Sequence, residues 1–350
     1  MRLLLLFTIV ITKPFMNFSW LFKNTPVPRP PIVWDLLHKN LKITARKLFI
    51  KSAENSGVPW KSMVQQYESQ LEILESYKNK YENRSLVYPS YYTKPFHGYN
   101  SGNMNWQAAI EAKAATLSVS SRYWTNTNPY LAEQYMRNNA SKTIRSYILH
   151  QTNTPIRSIL DMGSSIGISS QYIQKAFPDS TVIGVELSPY FLSTAMYDSD
   201  QFNDRIRYLH ANVEEVPLPD KSFDLINCQF LFHEVPYMNT VSILKEANRL
   251  LKPDGVLAIL DLNPYQLKSK IHVSQFRLWA FESTEPHIFE YYSHDMKTTL
   301  YECGFESIVQ IKNDPMNLLW IARKGGVRIQ TPKQSSARRM AFEGNQMFLP

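Results

Sequence analysis

Arg157-Ser-Ile-Leu-Asp-Met-Gly-Ser-Ser-Ile-Gly167, followed after a helix-patterned stretch by Thr181-Val-Ile-Gly-Val-Glu186, decides the fold of this chain. Strand-forming residues run into Asp161, and Gly163, Ser165 and Gly167 then form a tight turn of small residues. The order strand, small-residue loop, helix, strand, acid is the opening βαβ unit of a doubly wound α/β sheet that holds a nucleotide-type ligand. Glycine in such a turn takes dihedrals closed to other residues and lets the backbone approach a ligand. Glu186 lies about 20 residues beyond the loop, the spacing at which a carboxylate accepts from both hydroxyls of a ribose. These residues point to a ribose-bearing cofactor.

A dinucleotide cradle needs G-x-G-x-x-G, with three glycines in register around a pyrophosphate. Here the pattern is Asp161-x-Gly163-x-Ser165-x-Gly167, with serine in the middle and no third glycine in step. It resembles motif I, D-x-G-x-G-x-G, of the class I S-adenosylmethionine-dependent methyltransferases, with Ser165 as the one departure. Three further segments resemble that family in order. Asn212-Val213-Glu214-Glu215 is similar to its acidic loop after the third strand. Phe223-Asp-Leu-Ile-Asn-Cys-Gln229-Phe-Leu-Phe-His233 is similar to the fourth strand and the loop behind it. Leu250-Leu-Lys-Pro-Asp-Gly-Val-Leu-Ala-Ile259 resembles the helix end, turn and fifth strand. The resemblance covers residues 125–324 and is nearest to the type 11 group that includes the quinone-biosynthesis C-methyltransferases. The N-terminal extension is similar to that of uncharacterised plant and cyanobacterial members.

The resemblance implies a Rossmann-like, mostly parallel seven-stranded sheet with an antiparallel C-terminal strand, and S-adenosyl-L-methionine as cofactor. Asp161, Gly163, Ser165, Gly167, Glu186, Asn212, Val213 and Gln229 would hold it. Asn212 stands where the family places an acid that accepts from the adenine amino group, and its amide oxygen can accept without a charge.

The rest of the chain supports the same architecture. Asn128-Pro129 reads as N-cap and first residue of a helix reaching about His150. Strands over 157–162, 181–187, 206–211, 223–229 and 255–261 alternate with helices over 168–177, 189–198 and 239–252, the pattern of a right-handed parallel sheet. Glu306–Lys312 and Asn317–Arg323 flank Asn313-Asp-Pro-Met316, a link short enough to join only antiparallel neighbours. The chain divides into an apolar N-terminal segment and proline-rich spacer (1–33), a helical and aromatic-loop extension (34–124), the cofactor domain (125–324) and a flexible basic tail (325–350). Within the extension, Trp34, Leu37, Leu41 and Leu48 mark a basic amphipathic helix, and a second helix is predicted from Trp60 to Tyr81.

The net charge of +8 over 350 residues is unevenly spread. Residues 1–149 carry 19 Lys and Arg against 8 acids, whereas 150–325 carry 15 against 21. The basic character therefore belongs to the N-terminal third, where it suits an anionic membrane surface, a nucleic acid or an import receptor. Met1-Arg2 followed by the apolar run Leu3–Thr12 resembles a signal or transit segment and is too short to span a bilayer. Cys228 and Cys303 make no disulfide framework. The reading is an intracellular protein, organellar (plastid or mitochondrion) or membrane-associated, with a cytoplasmic chain as the rival.

Methyl transfer needs alignment and exclusion of water more than a dedicated acid or base. His233, just past the fourth strand, is placed for general base or substrate orienter. The aperiodic segment Tyr88–Trp106 reads as an ordered loop, with Tyr91, Tyr92, His97 and Trp106 as candidate walls of an acceptor pocket or as a structural strap. A lone His97 makes no metal site, and none is expected. No Asp/Asn-Pro-Pro-Tyr/Phe motif follows strand four and Cys228 has no proline neighbour, so base methylation is disfavoured. The chain thus reads as a methyltransferase acting on a small acceptor, an apolar, membrane-derived one among the candidates. An inactive methyltransferase-fold binding protein and an RNA or protein methyltransferase are the rivals; the oligomeric state is not legible.

Overall fold

A computed structural model describes residues 46–124, 126–151, 155–200, 206–266 and 284–325. The expected N-terminal segment, the proline spacer, most of the basic helix and the C-terminal tail lie outside them. Leu48, assigned to the packed face of that helix, is 54% exposed.

Among the described residues, a helical stretch over 46–55 and then α1 (Trp60–Glu68), α2 (Leu71–Tyr81), α3 (Trp106–Ser121) and α4 (Pro129–Gln151) precede the sheet. Then come β1 (Ser158–Met162), α5 (Ile168–Ala176), β2 (Thr181–Glu186), α6 (Pro189–Asp200), β3 (Ile206–His210), β4 (Phe223–Gln229) and a 3₁₀ turn at Phe232–Glu234. The chain continues through α7 (Tyr237–Leu250), β5 (Leu251–Leu262), α8 (Ile288–Tyr291), α9 (Met296–Glu302), β6 (Phe305–Lys312) and β7 (Asn317–Lys324). The strands form one seven-stranded sheet in the order β3-β2-β1-β4-β5-β7-β6. β1 to β5 pair in parallel, and β7 runs antiparallel to both β5 and β6. The strand order reverses between β1 and β4, so the carboxyl ends of these two strands open the crevice where this architecture takes ligands.

Both sheet faces are covered, which explains why β1 and β4 are buried at all but one position each. Ile159, Val182, Leu225 and Ala258 pack on one face with Ala140, Ile144 and Ile148 of α4 and Ile173 of α5. Leu160, Ile226, Leu257 and Ile259 pack on the other with Ile243, Leu244 and Ala247 of α7. The alternation along each strand follows from side chains pointing to opposite faces in turn.

The single helix predicted over Trp60–Tyr81 is two helices, broken at Ser69-Gln70, and the break lets each bury a different anchor. Trp60 of α1 meets Phe49 edge-on at 5.7 Å, and Leu74 of α2 is fully buried. Tyr67 donates to Asp198 of α6 at 2.7 Å, which fixes the extension to the flank of the cofactor domain. α3 was not anticipated as a helix; its N-cap, Asn105, accepts from the Ala108 amide at 2.8 Å. The expected cap of α4 is present, with Asn128 Oδ1 accepting from the Tyr130 amide at 2.9 Å. Among the described residues, no helix is long and apolar enough to cross a membrane.

Candidate active site

The loop after β1 is held from below and from the side. Asp161 is fully buried and accepts from Ser169 and Ser170 hydroxyls of α5 and from the Asn227 amide of β4, each at 2.6 Å. Burial pushes its carboxyl up, and those hydrogen bonds oppose the shift. Asp161 therefore acts as the staple between loop, helix and neighbouring strand. Gly167 caps α5 with φ +82°, a left-handed conformation that glycine takes at no steric cost. A Cβ there would also lie 2.2 Å from the Tyr208 hydroxyl. The absence of a side chain at Gly167 thus serves the packing of Tyr208 under the loop as well as its turn. Ser165 adopts φ +52°, the same left-handed region, where the family motif has glycine.

Glu186 ends β2 and points at this loop. Its Oε2 accepts from the Ser165 amide at 2.9 Å, and Oε1 accepts from the Ser188 amide at 2.8 Å. Burial raises its pKa and the amide hydrogen bonds work against that rise. Asn212, beyond β3, uses its amide oxygen to accept from the Glu214 backbone at 3.0 Å, which shapes the turn while a second lone pair stays available. Val213 beside it is buried.

Gln229 ends β4. Its oxygen accepts from the Arg137 guanidinium, and its amide nitrogen donates to Asn227 at 3.2 Å. Arg137, from α4, is missing from the sequence reading. It is 6% exposed, lies over the Phe230 ring at 4.9 Å, and its Nε has no hydrogen-bond partner. Burial lowers its pKa, with Glu133 and Asp161 counteracting. Its Nε faces Glu133 Oε1 at 3.7 Å, an ion pair within the helix, and a buried guanidinium beside the loop favours an anionic group there. The only legible signal was an arginine on a helix whose neighbouring positions Met136 and Ala140 are buried.

His233 lies in the 3₁₀ turn behind β4, with Nδ1 2.6 Å from Asp261 Oδ1. Burial alone would lower its pKa, but the Asp261 charge and hydrogen bond outweigh it and the imidazole is raised. Asp261 also accepts from the Phe232 and Leu262 amides at 2.8 and 2.7 Å. It was read only as the end of a strand, although an acid at that position faces the crevice by topology. Glu234 and Glu285 complete this side. Burial raises Glu234 to about 8, against the pull of His233, and raises Glu285 well above the ordinary range.

The segment Tyr88–Trp106 crosses the carboxyl ends of the strands, on the same side as Gly163. Tyr91 donates to Glu214 at 2.8 Å and Tyr92 to Glu186 at 3.2 Å. His97 Nε2 lies 3.5 Å from Glu234 and 3.3 Å from Glu285. Partial burial, and next the nearby His233, lower the His97 pKa. Trp106 departs from this group: it opens α3, donates to Glu75 at 2.8 Å and packs edge-on against Tyr190 at 5.0 Å. Its size and amphipathic ring suit a helix anchor, which is the part it plays here.

Strand order, small-residue loop and terminal acid define a Rossmann-like methyltransferase domain. Residues 160–259 match the family model described as a methyltransferase domain, of type 11. Over 110 residues the chain is 28% identical to an uncharacterized methyltransferase of Synechocystis sp., covering 31% of this chain and 49% of that relative. Over 108 residues it is 27% identical to a demethylmenaquinone methyltransferase of Thermus thermophilus, covering 31% and 48%. The chain thus spans about half the length of these curated relatives. Among solved structures it is similar to the CurJ carbon methyltransferase, with a TM-score of 0.46 and 15% identity over 63% of this chain and 60% of that one.

The residues present fit the cofactor of that family, S-adenosylmethionine. Glu186 would take the ribose, Arg137 with Gln229 the methionine carboxylate, and Asn212 with Val213 the adenine. The buried Glu186 carboxylate at the end of β2, held against the loop amide of Ser165, is the observation that favours the fit.

Proposed function

We propose that this chain is an S-adenosylmethionine-dependent methyltransferase acting on a small-molecule acceptor. The observation that carries the reading is Glu186, a buried carboxylate ending β2 and bound to the loop amide of Ser165. Residues 125–324 serve as the cofactor domain, and the extension before them supplies the cover.

When bound, the cofactor supplies an activated methyl group on a sulfonium. The chain contributes alignment, dryness and a place for a proton. Asp261 holds Nδ1 of His233, which leaves Nε2 as the nitrogen that accepts the acceptor's proton. In the ligand-free arrangement Tyr92 and His97 lie over the crevice. The groups nearest His233 are Glu234, Asp261 and Tyr291, so the acceptor end beside it carries polar atoms even where its remainder is apolar. Demethylmenaquinone methyltransferase among the relatives favours a small molecule over a nucleic acid or protein. The basic N-terminal third would bring the enzyme to an anionic membrane or organelle surface.

Equilibrium dialysis with labelled S-adenosylmethionine tests this directly, followed by an assay for S-adenosylhomocysteine on addition of demethylated quinols. Saturable binding with product formation is expected. Binding without turnover on any small acceptor would favour an inactive binding protein, and no binding would overturn the reading.

A further inference from the structure

Glu186 is nearly full before any ligand arrives. A carboxylate offers about four lone-pair positions. The Ser165 amide, the Ser188 amide and the Tyr92 hydroxyl donate to it directly, and the Leu187 amide crowds it further. A ribose diol needs two. The two amides belong to the turns that follow β1 and β2 and cannot leave without dismantling the loop. Tyr92 is the donor that can.

Tyr92 sits on a strap with a second anchor five residues on. The His97 amide donates to the Thr284 carbonyl at 2.9 Å, and its ring rests between Glu234 and Glu285 on the acceptor side. His97 has φ +51° and Gly98 φ +86°. The left-handed region is strained for a residue with a side chain, so the kink at His97 is held by its anchors and relaxes when they are released. A third tie joins the Asn103 carbonyl to the Ser188 hydroxyl at 2.7 Å, next to the amide that also serves Glu186.

We propose that the strap Tyr88–Met104 is a cofactor-responsive gate, in which the Tyr92 hydroxyl occupies the ribose position on Glu186 and His97 latches the acceptor side. This rests on the function proposed above and assigns its regulation. Ribose hydroxyls displace Tyr92, the strap lifts, and His97 comes away from Glu234 and Glu285. The acceptor side opens only after the cofactor has arrived, which makes binding ordered.

Calorimetry with S-adenosylhomocysteine tests the gate in wild type, Tyr92→Phe, His97→Ala and Glu186→Ala. A hydrogen bond to a charged group is worth enough for about a tenfold change in affinity, so Tyr92→Phe should bind about tenfold tighter. His97→Ala should shift affinity in the same direction by a smaller factor, although it does not touch Glu186. Hydrogen exchange on the wild type, which needs no variant to fold, should show faster exchange across 88–104 when the ligand is added. Unchanged or weaker binding by Tyr92→Phe, or slower strap exchange on ligand addition, overturns the gate. Tighter binding by Tyr92→Phe with no effect of His97→Ala overturns the link to the acceptor side. Loss of binding by wild type and Tyr92→Phe alike would remove the proposed function itself, and a wild type that binds as well as Tyr92→Phe removes only the gate.

Discussion

Ser165 donates its backbone N–H to Oε2 of Glu186 at 2.9 Å, and this bond joins the loop after β1 to the end of β2. It makes the loop and the carboxylate that would take the ribose one unit. Because the donor is a backbone group, the side chain at 165 is free to change while the bond persists.

Ser165→Gly should therefore retain cofactor affinity and gain stability. Ser165 holds φ +52°, and glycine removes a left-handed penalty of about 1–2 kcal/mol while adding unfolded-state entropy of about 0.5–1 kcal/mol. A net gain near 1 kcal/mol should appear as a higher urea midpoint. A loss of stability would show that the serine hydroxyl makes a needed contact.

Arg137→Met should separate the two ends of the cofactor. Loss of a charge-assisted hydrogen bond should weaken S-adenosylhomocysteine at least tenfold. It should leave 5′-methylthioadenosine, which lacks the amino-acid carboxylate, unchanged. An equal loss for both ligands would place Arg137 in a purely structural part.

His233 should stabilise the fold more in acid than in base. Its folded pKa lies above the ordinary 6.5 because of Asp261. The contribution is fully present below 6.5 and is lost as pH rises through the raised folded value. The stability cost of His233→Gln, from urea melts, should be greatest near pH 5.5 and shrink towards pH 9. A cost that grows with pH would contradict the ion pair.

Glu234 should show the same direction of pH dependence from a different cause. Its folded pKa is pushed up to about 8 from 4.5, so the native state keeps a proton that the unfolded chain releases, and stability falls across that window. Glu234→Gln should match wild type near pH 4, gain on it as pH rises to about 8, and hold that advantage above. Parallel stability curves would mean that Glu234 ionises freely in the folded protein.

The sheet could be read from the sequence because its strands are short apolar runs set between glycine turns and helical periods, each a local signal. Glu186 was legible for the same reason: its spacing from Gly167 is a property of one βαβ unit. The break at Ser69-Gln70 was not, since neither residue forbids a helix and the split is imposed by the separate burial of Trp60 and Leu74. Arg137 was hidden because a cation on a helix with Lys142 and Arg145 nearby reads as a solvated face, and only the fold turns it towards Gln229. Asp261 and Glu285 were hidden because their partners, His233 and His97, stand far away in the chain. Trp106, read as pocket wall or structural strap, anchors α3 through Glu75 and Tyr190, and an aromatic next to an aperiodic loop carries no sign of which side it anchors.

The central claim is that Glu186 holds the ribose of S-adenosylmethionine. Calorimetric titration of S-adenosylhomocysteine into wild type and into a folded Glu186→Ala variant measures it. Charged hydrogen bonds to hydroxyls contribute about 1.5–3 kcal/mol each, so the account predicts at least a tenfold loss of affinity in the variant. Equal affinity in the two proteins would contradict it.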